Sequence, residues 1–158
     1  MAIAKAIGGG FPLGALLATA EAAKGMTPGT HGTTYGGNPL AMAVGNAALD
    51  MVLSPGFLEH VSKVANYLSQ QLGALVAGHP AIFEDVRGQG LMLGLKMKIP
   101  NGDFIKAARE AGLIVLPAGD NVVRLLPPLN ISEAEIREGI SLMHKAAAAL
   151  EPQKAMAK

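Results

Sequence analysis

The sequence predicts a mixed α/β chain that ends in a small α+β layer, and three observations carry that reading. Apolar residues from Phe57 to Leu75 recur at spacings of three and four, the period of one helix face. After Ile82, short apolar runs rich in Val, Leu and Ile alternate with further helical patterns, as in strands and helices sharing one core. Ahead of Asn38, glycine, proline and hydroxyl residues recur so often that turns must set much of the backbone.

Taken in order, the glycines of "IGGGFP" bend the chain, and Ala15 to Ala18 reads as a short buried strand. Thr19 then caps a helical turn from Ala20 to Lys24, with Glu21 near its positive end. From Met26 to Gly37 a loop follows, set by the turn residues of "GTHGTTYGGNP". Asn38 as cap and Pro39 as first helical residue open a helix that runs to Leu53. Ser54-Pro55 repeats that signal and opens a second helix, whose stripe is Phe57, Val61, Val64, Leu68, Leu72 and Leu75.

The texture changes around this second helix, so the chain divides into 1–53 and 54–158. In the latter part "LMLGLKM", "LIVL" and "NVVRLL" read as strands, and Asp103 to Ala111 as a helix. Ser132 and Glu135 form a capping box for a final helix with a stripe of Ile136, Ile140, Met143, Ala147 and Leu150. Residues after Glu151 are expected to fray.

Composition narrows the class. Charged residues make up 16% of the 158, against ~25% in ordinary domains, and half the chain is apolar before its 20 glycines are counted. Much of the surface is therefore expected to face protein, as in an obligate oligomer or a piece of a larger body. Thirteen basic and twelve acidic residues leave a net charge of +1 without long runs, which disfavours nucleic acid and anionic membranes as partners. There is no cysteine, hence no disulfide and no thiolate chemistry, and no segment reaches the ~20 apolar residues of a membrane span. Lys5 followed by the uncharged stretch to Ala20 superficially resembles an export signal, but five glycines and prolines within it would break the helix such a signal needs.

Three places could carry chemistry. Lys5 stands in an uncharged stretch beside Gly8, Gly9 and Gly10. An amine among apolar neighbours loses hydration and becomes a nucleophile toward aldehydes, whereas an ordinary lysine is only surface charge. Thr33 and Thr34 lie in a glycine-rich loop ahead of a helix start, a setting suited equally to phosphate oxygens and to plain turn formation. Arg124 interrupts an apolar strand and must meet an anion or reach solvent; a carboxylate clamp and an internal pair with Asp or Glu are the alternatives. His31 and the other histidines have no second ligand at a metal-binding spacing.

In order, "AKAIGGGFPLGA", "GTHGTTYGGNPLA", "VRGQGLMLGL" and "VVRLLPPLNIS" resemble the C-terminal part of the fold-type I, class III aminotransferases that use pyridoxal phosphate. Within that class the acetylornithine aminotransferases of arginine biosynthesis are most similar. The resemblance implies the tail of a large cofactor domain over 1–53 and a small C-terminal domain over 54–158. It implies that Lys5 bonds covalently to the cofactor aldehyde and then shuttles a proton between the substrate α-carbon and the cofactor. Thr34, with Thr33 as the nearby alternative, would bind the cofactor phosphate from the neighbouring subunit, and Arg124 would clamp the substrate α-carboxylate.

An amine donor and 2-oxoglutarate are the implied substrates, and a cytoplasmic homodimer the implied parent. Ornithine, succinylornithine and 4-aminobutyrate aminotransferases would share these motifs, and a non-catalytic truncated domain is the alternative outside the class. Family members carry ahead of the lysine a first glycine-rich phosphate loop, an aromatic residue stacked on the cofactor ring and an aspartate on its pyridine nitrogen. This sequence has none of these, so it is expected to be a C-terminal fragment with little activity of its own.

Overall fold

A computed structural model describes residues 1–151, in two compact units that divide between Leu58 and Glu59. The expected fraying after Glu151 lies outside the described residues.

In the first unit β1 (Ala2–Ile3) pairs antiparallel with β2 (Ala15–Leu16), Ala2 opposite Leu16 and Ile3 opposite Ala15. The strand expected over residues 15–18 is thus two residues long, and it is exposed rather than buried. Its partner is equally short, and a two-residue ladder has no second layer to cover it. Thr19 caps α1 (Ala20–Ala23), accepting from the Ala22 N–H at 3.2 Å. Turns fill the chain from there to Asn38, which accepts from the Ala41 N–H at 2.9 Å and starts α2 (Pro39–Val52).

The packing of this unit turns on one leucine. A Cβ at Gly8 would stand 3.2 Å from the Leu13 side chain and a Cβ at Gly45 3.3 Å from it. The turn and α2 therefore approach Leu13 from two sides at glycines, where a Cβ would make the contact tight. Leu16, Leu40, Met51 and Leu53 remain exposed, which accounts for much of the apolar excess in the composition.

Ser54 does not cap the next helix. Its hydroxyl donates to the Met51 carbonyl at 2.7 Å, closing α2 instead, and α3 (Phe57–Gly78) begins without it. The stripe on α3 behaves as its spacing requires: Val64, Leu68, Leu72 and Leu75 are buried.

The second unit is a two-layer α+β arrangement. β3 (Phe83–Gln89), β4 (Met92–Met97), β5 (Leu116–Ala118) and β6 (Val122–Leu125) form an antiparallel sheet in the order β3-β4-β6-β5. Leu93, Leu95, Met97, Val123 and Leu125 alternate onto one face and share a core with α3, α4 (Asn101–Glu110) and α5 (Glu133–Leu150). β3 was not legible as a strand, because "FEDVRGQ" buries only its first residue and stands at a sheet edge. The strand expected over "LIVL" begins at Leu116, the last of those residues, and it too is an edge, where Pro117 costs no ladder bond. The capping box on α5 is complete: Ser132 Oγ accepts from Glu135 N–H at 3.2 Å, and Glu135 Oε2 accepts from Ser132 N–H at 2.8 Å.

Candidate active site

Lys5 opens a 3-10 turn (Lys5–Gly8) that links β1 to the strand-pairing return, and its own backbone is left-handed, φ 66°. For a residue with a Cβ this conformation costs on the order of 1–2 kcal/mol. The turn is held by Gly9 N–H donating to Ala6 carbonyl at 3.0 Å and by Phe11 N–H donating to Gly8 carbonyl at 2.9 Å. Lys5 itself is exposed, so this unit does not supply the apolar enclosure that its uncharged sequence neighbours suggested. Beside it the space is open: a Cβ at Gly10 would meet nothing within 4 Å, and one at Gly9 nothing closer than 3.9 Å.

Thr33 and Thr34 lie in the same unit, exposed on the loop ahead of α2, and the structure distinguishes them. Thr33 Oγ1 accepts from the Gly36 N–H at 3.1 Å, so this hydroxyl forms the turn. A Cβ at Gly36 would stand 2.2 Å from Thr33 Cγ2, so any larger residue there would have to turn the Thr33 side chain away from this bond. The Thr34 hydroxyl makes no hydrogen bond among the described residues.

Arg124 belongs to the second unit, on the sheet face opposite the core. Register puts Arg87, Gly94, Arg124 and Leu116 in one cross-strand row, with Lys96 and Val122 in the next. Two of the three cations on this face are neutralised locally. Asp120 Oδ1 meets Lys96 Nζ and Asp120 Oδ2 meets Arg87 Nη1, both at 2.8 Å, and Asp85 approaches Arg87 at 3.8 Å. The Lys96 bond first and the Arg87 bond second hold the Asp120 carboxyl below the usual carboxylate range. Arg124 has no ion pair or hydrogen bond among the described residues, and its side chain is exposed. A guanidinium left free on such a face is available to an incoming carboxylate.

The hairpin that carries Arg124 is set by residues the sequence reading passed over. Asn121, at φ 53°, donates from Nδ2 to the Met97 and Ile99 carbonyls at 2.9 and 2.8 Å, and its Oδ1 accepts from Asn101 N–H at 2.8 Å. Asn101 Nδ2 returns a bond to the Val122 carbonyl at 3.0 Å. The signal was present in "AGDNVV", where Gly-Asp-Asn between two apolar runs suits left-handed turn residues.

The family model for class III aminotransferases matches residues 1–147. The chain belongs to that family. It is 58% identical to the acetylornithine aminotransferase of Rhodobacter capsulatus over 98% of this chain and 39% of that protein. The acetylornithine aminotransferase of Agrobacterium fabrum is 57% identical over the same shares. Among solved structures, the N-acetylornithine aminotransferase of Stenotrophomonas maltophilia superposes with a TM-score of 0.80 at 36% identity, covering 94% of this chain and 39% of that one. The ornithine δ-aminotransferase of Plasmodium falciparum gives 0.84 at 32% identity, over 94% and 38%. The chain thus spans about two fifths of the length of the relatives it matches.

Proposed function

We propose that this chain is the C-terminal part of an acetylornithine aminotransferase, with residues 1–53 the tail of its large cofactor domain and 54–158 its small domain. The observation that carries the reading is the 58% identity over 98% of the chain to a protein of that name. The reaction is transfer of an amino group from N2-acetylornithine to 2-oxoglutarate in arginine biosynthesis, in a cytoplasmic homodimer.

The residues suit pyridoxal phosphate. Lys5 offers an exposed amine beside glycines that leave room for a flat ring, and Thr34 offers an uncommitted hydroxyl in an amide-rich loop. Because the Thr33 hydroxyl is already engaged by Gly36, Thr34 is the better phosphate partner, reached from the neighbouring subunit. When bound, the cofactor supplies the electron sink for amino transfer. Lys5 Nζ would take the proton from the substrate carbon that bears the transferring amine and pass it to the cofactor side. Acetylation blocks N2, so in this substrate that carbon is the terminal one. Arg124 holds the carboxylate by a bidentate pair.

Ornithine is the second donor to consider, because ornithine aminotransferases superpose as well as the acetylornithine enzymes do. Borohydride reduction of the full chain with pyridoxal phosphate, followed by peptide mapping, tests the central assignment. Label is expected on Lys5 and absent from Lys5→Ala; label on another lysine, or on none, overturns it. The chain alone is expected to form almost no glutamate from acetylornithine and 2-oxoglutarate, and rapid glutamate formation would show that it needs nothing further.

A further inference from the structure

Away from these residues, three ionisable side chains are joined end to end at one corner of the second unit. His79 follows α3 directly, and its backbone turns the chain toward β3. The His79 N–H donates to the Leu75 carbonyl at 3.1 Å, and its carbonyl accepts from Ile82 and Phe83 N–H at 3.0 and 3.1 Å. The ring is held as firmly as the backbone. Nδ1 lies 2.8 Å from Glu151 Oε1, Nε2 lies 2.8 Å from His144 Nδ1, and the side chain is 12% exposed. Phe83 meets the ring edge-on at 6.2 Å, and the His144 ring passes Gly78, where a Cβ would stand 3.8 Å from its Cε1. Both Glu151 and His144 come from the C-terminal end of α5.

We propose that Glu151, His79 and His144 form an acid-opened clasp that fastens the last turns of α5 to the corner between α3 and β3. The number of protons on the three groups decides whether it holds. With Glu151 ionised, its bond requires a proton on His79 Nδ1. The Nε2–Nδ1 contact between the rings holds one proton, donated by either ring. A neutral pair satisfies it when His144 carries its proton on Nδ1, and a pair with one added proton satisfies it when His79 donates from both nitrogens. A pair with two added protons cannot, because two N–H groups then face each other at 2.8 Å beside a second positive charge. The second proton therefore opens the clasp.

The surroundings agree with that order. Burial first, and the neighbouring His79 second, hold the His144 ring below its usual 6.5. A depressed imidazole value favours the neutral ring in the folded state, so the contact is fully present above that value and is lost as pH falls below it. The last turn of α3 carries no basic residue, and Lys98 donates to the Pro80 carbonyl on the same corner at 2.8 Å, adding a cation that opposes the second proton. Lys145 stands next to His144 on α5 without a bond to either ring among the described residues, and Glu151 is the carboxylate bonded to His79.

The test is an NMR titration of the full chain, following the ring carbons of His79 and His144 together with amide exchange near the end of α5. The rings are expected to shift together in two steps separated by about one pH unit or more. Exchange at Ala148–Leu150, corrected for its intrinsic pH dependence, is expected to rise about fivefold between pH 7 and pH 5. His144→Gln, which keeps an acceptor for His79 but takes no proton, should abolish that rise. Glu151→Gln should move the first step to lower pH, and this variant with the wild-type titration decides the matter if His144→Gln does not fold. Independent single-step titration of both rings, or an undiminished rise in His144→Gln, overturns the proposal.

Discussion

Replacing Asn121 by alanine tests how firmly the Arg124 hairpin is set, and its cost follows from four features of the structure. Three side-chain hydrogen bonds disappear, to the Met97 and Ile99 carbonyls and from the Asn101 N–H. Asn121 is half-buried, so the freed groups regain water only in part, and each lost bond is worth about 1 kcal/mol. Alanine at φ 53° adds roughly 1 kcal/mol of left-handed strain that asparagine tolerates better. The backbone bond from Met97 N–H to the Asn121 carbonyl survives. The expected loss is therefore about 4 kcal/mol, a large share of a marginal stability. In urea, with a slope of about 2 kcal/mol per molar, the unfolding midpoint of the full chain should fall by about 2 M. A fall smaller than about 0.5 M would refute the claim that this side chain sets the hairpin.

Asn121→Asp refines the same test. Aspartate keeps the bond from Asn101 and the left-handed backbone, but its carboxylate faces two carbonyls and favours its protonated form. A carboxyl raised in this way stabilises in acid and loses that contribution as pH rises, so this variant should gain on wild type as pH falls from 7 to about 4.

Three further outcomes are expected. Ser132→Ala removes the hydroxyl half of the capping box and should cost about 1 kcal/mol in urea melts at pH 7. The Ser132 N–H first and its hydroxyl second hold the Glu135 carboxyl below its usual value. That contribution is present above the ordinary carboxylate range and lost in acid, so the gap between variant and wild type should narrow by pH 3. Gly94→Ala would set a Cβ 2.6 Å from Val122 Cγ1, on the face that carries Arg124. Overpacking should cost roughly 1–3 kcal/mol, and adding Val122→Ala should recover part of it, a coupling that a double-mutant cycle reads directly.

How much of this was legible in sequence depended on whether the signal was local. The cap at Asn38, the capping box at Ser132 and the stripes on α3 and α5 each rest on residues within a few positions of one another, and each stands where its spacing put it. Ser54 misled for a local reason as well: its hydroxyl can serve the end of one helix or the start of the next, and it bonds the Met51 carbonyl at the end of α2. The edge strand β3 escaped, and β5 was placed about three residues too early, because an edge strand need bury only part of one face, which weakens the alternation that reveals it.

By itself, the order of residues determined the family, the helices capped by Thr19, Asn38 and Ser132, and the residue types on offer: an amine beside glycines, hydroxyls in an amide-rich loop, and a guanidinium in an apolar strand. Those are properties of short stretches, carried by local bonds and by side-chain type. Only the tertiary structure decided that, among the described residues, Asp120 occupies Lys96 and Arg87 and leaves Arg124 without a partner, that Gly36 engages Thr33 and leaves Thr34 without one, and that His79 meets Glu151 and His144. The ionic and histidine contacts join residues 24 to 72 positions apart. The Thr33 turn spans only three residues, but a hydroxyl in such a loop can bond or stay free until the whole loop is folded. Which polar group is spent and which remains available depends on what the folded chain brings within about 3 Å of it.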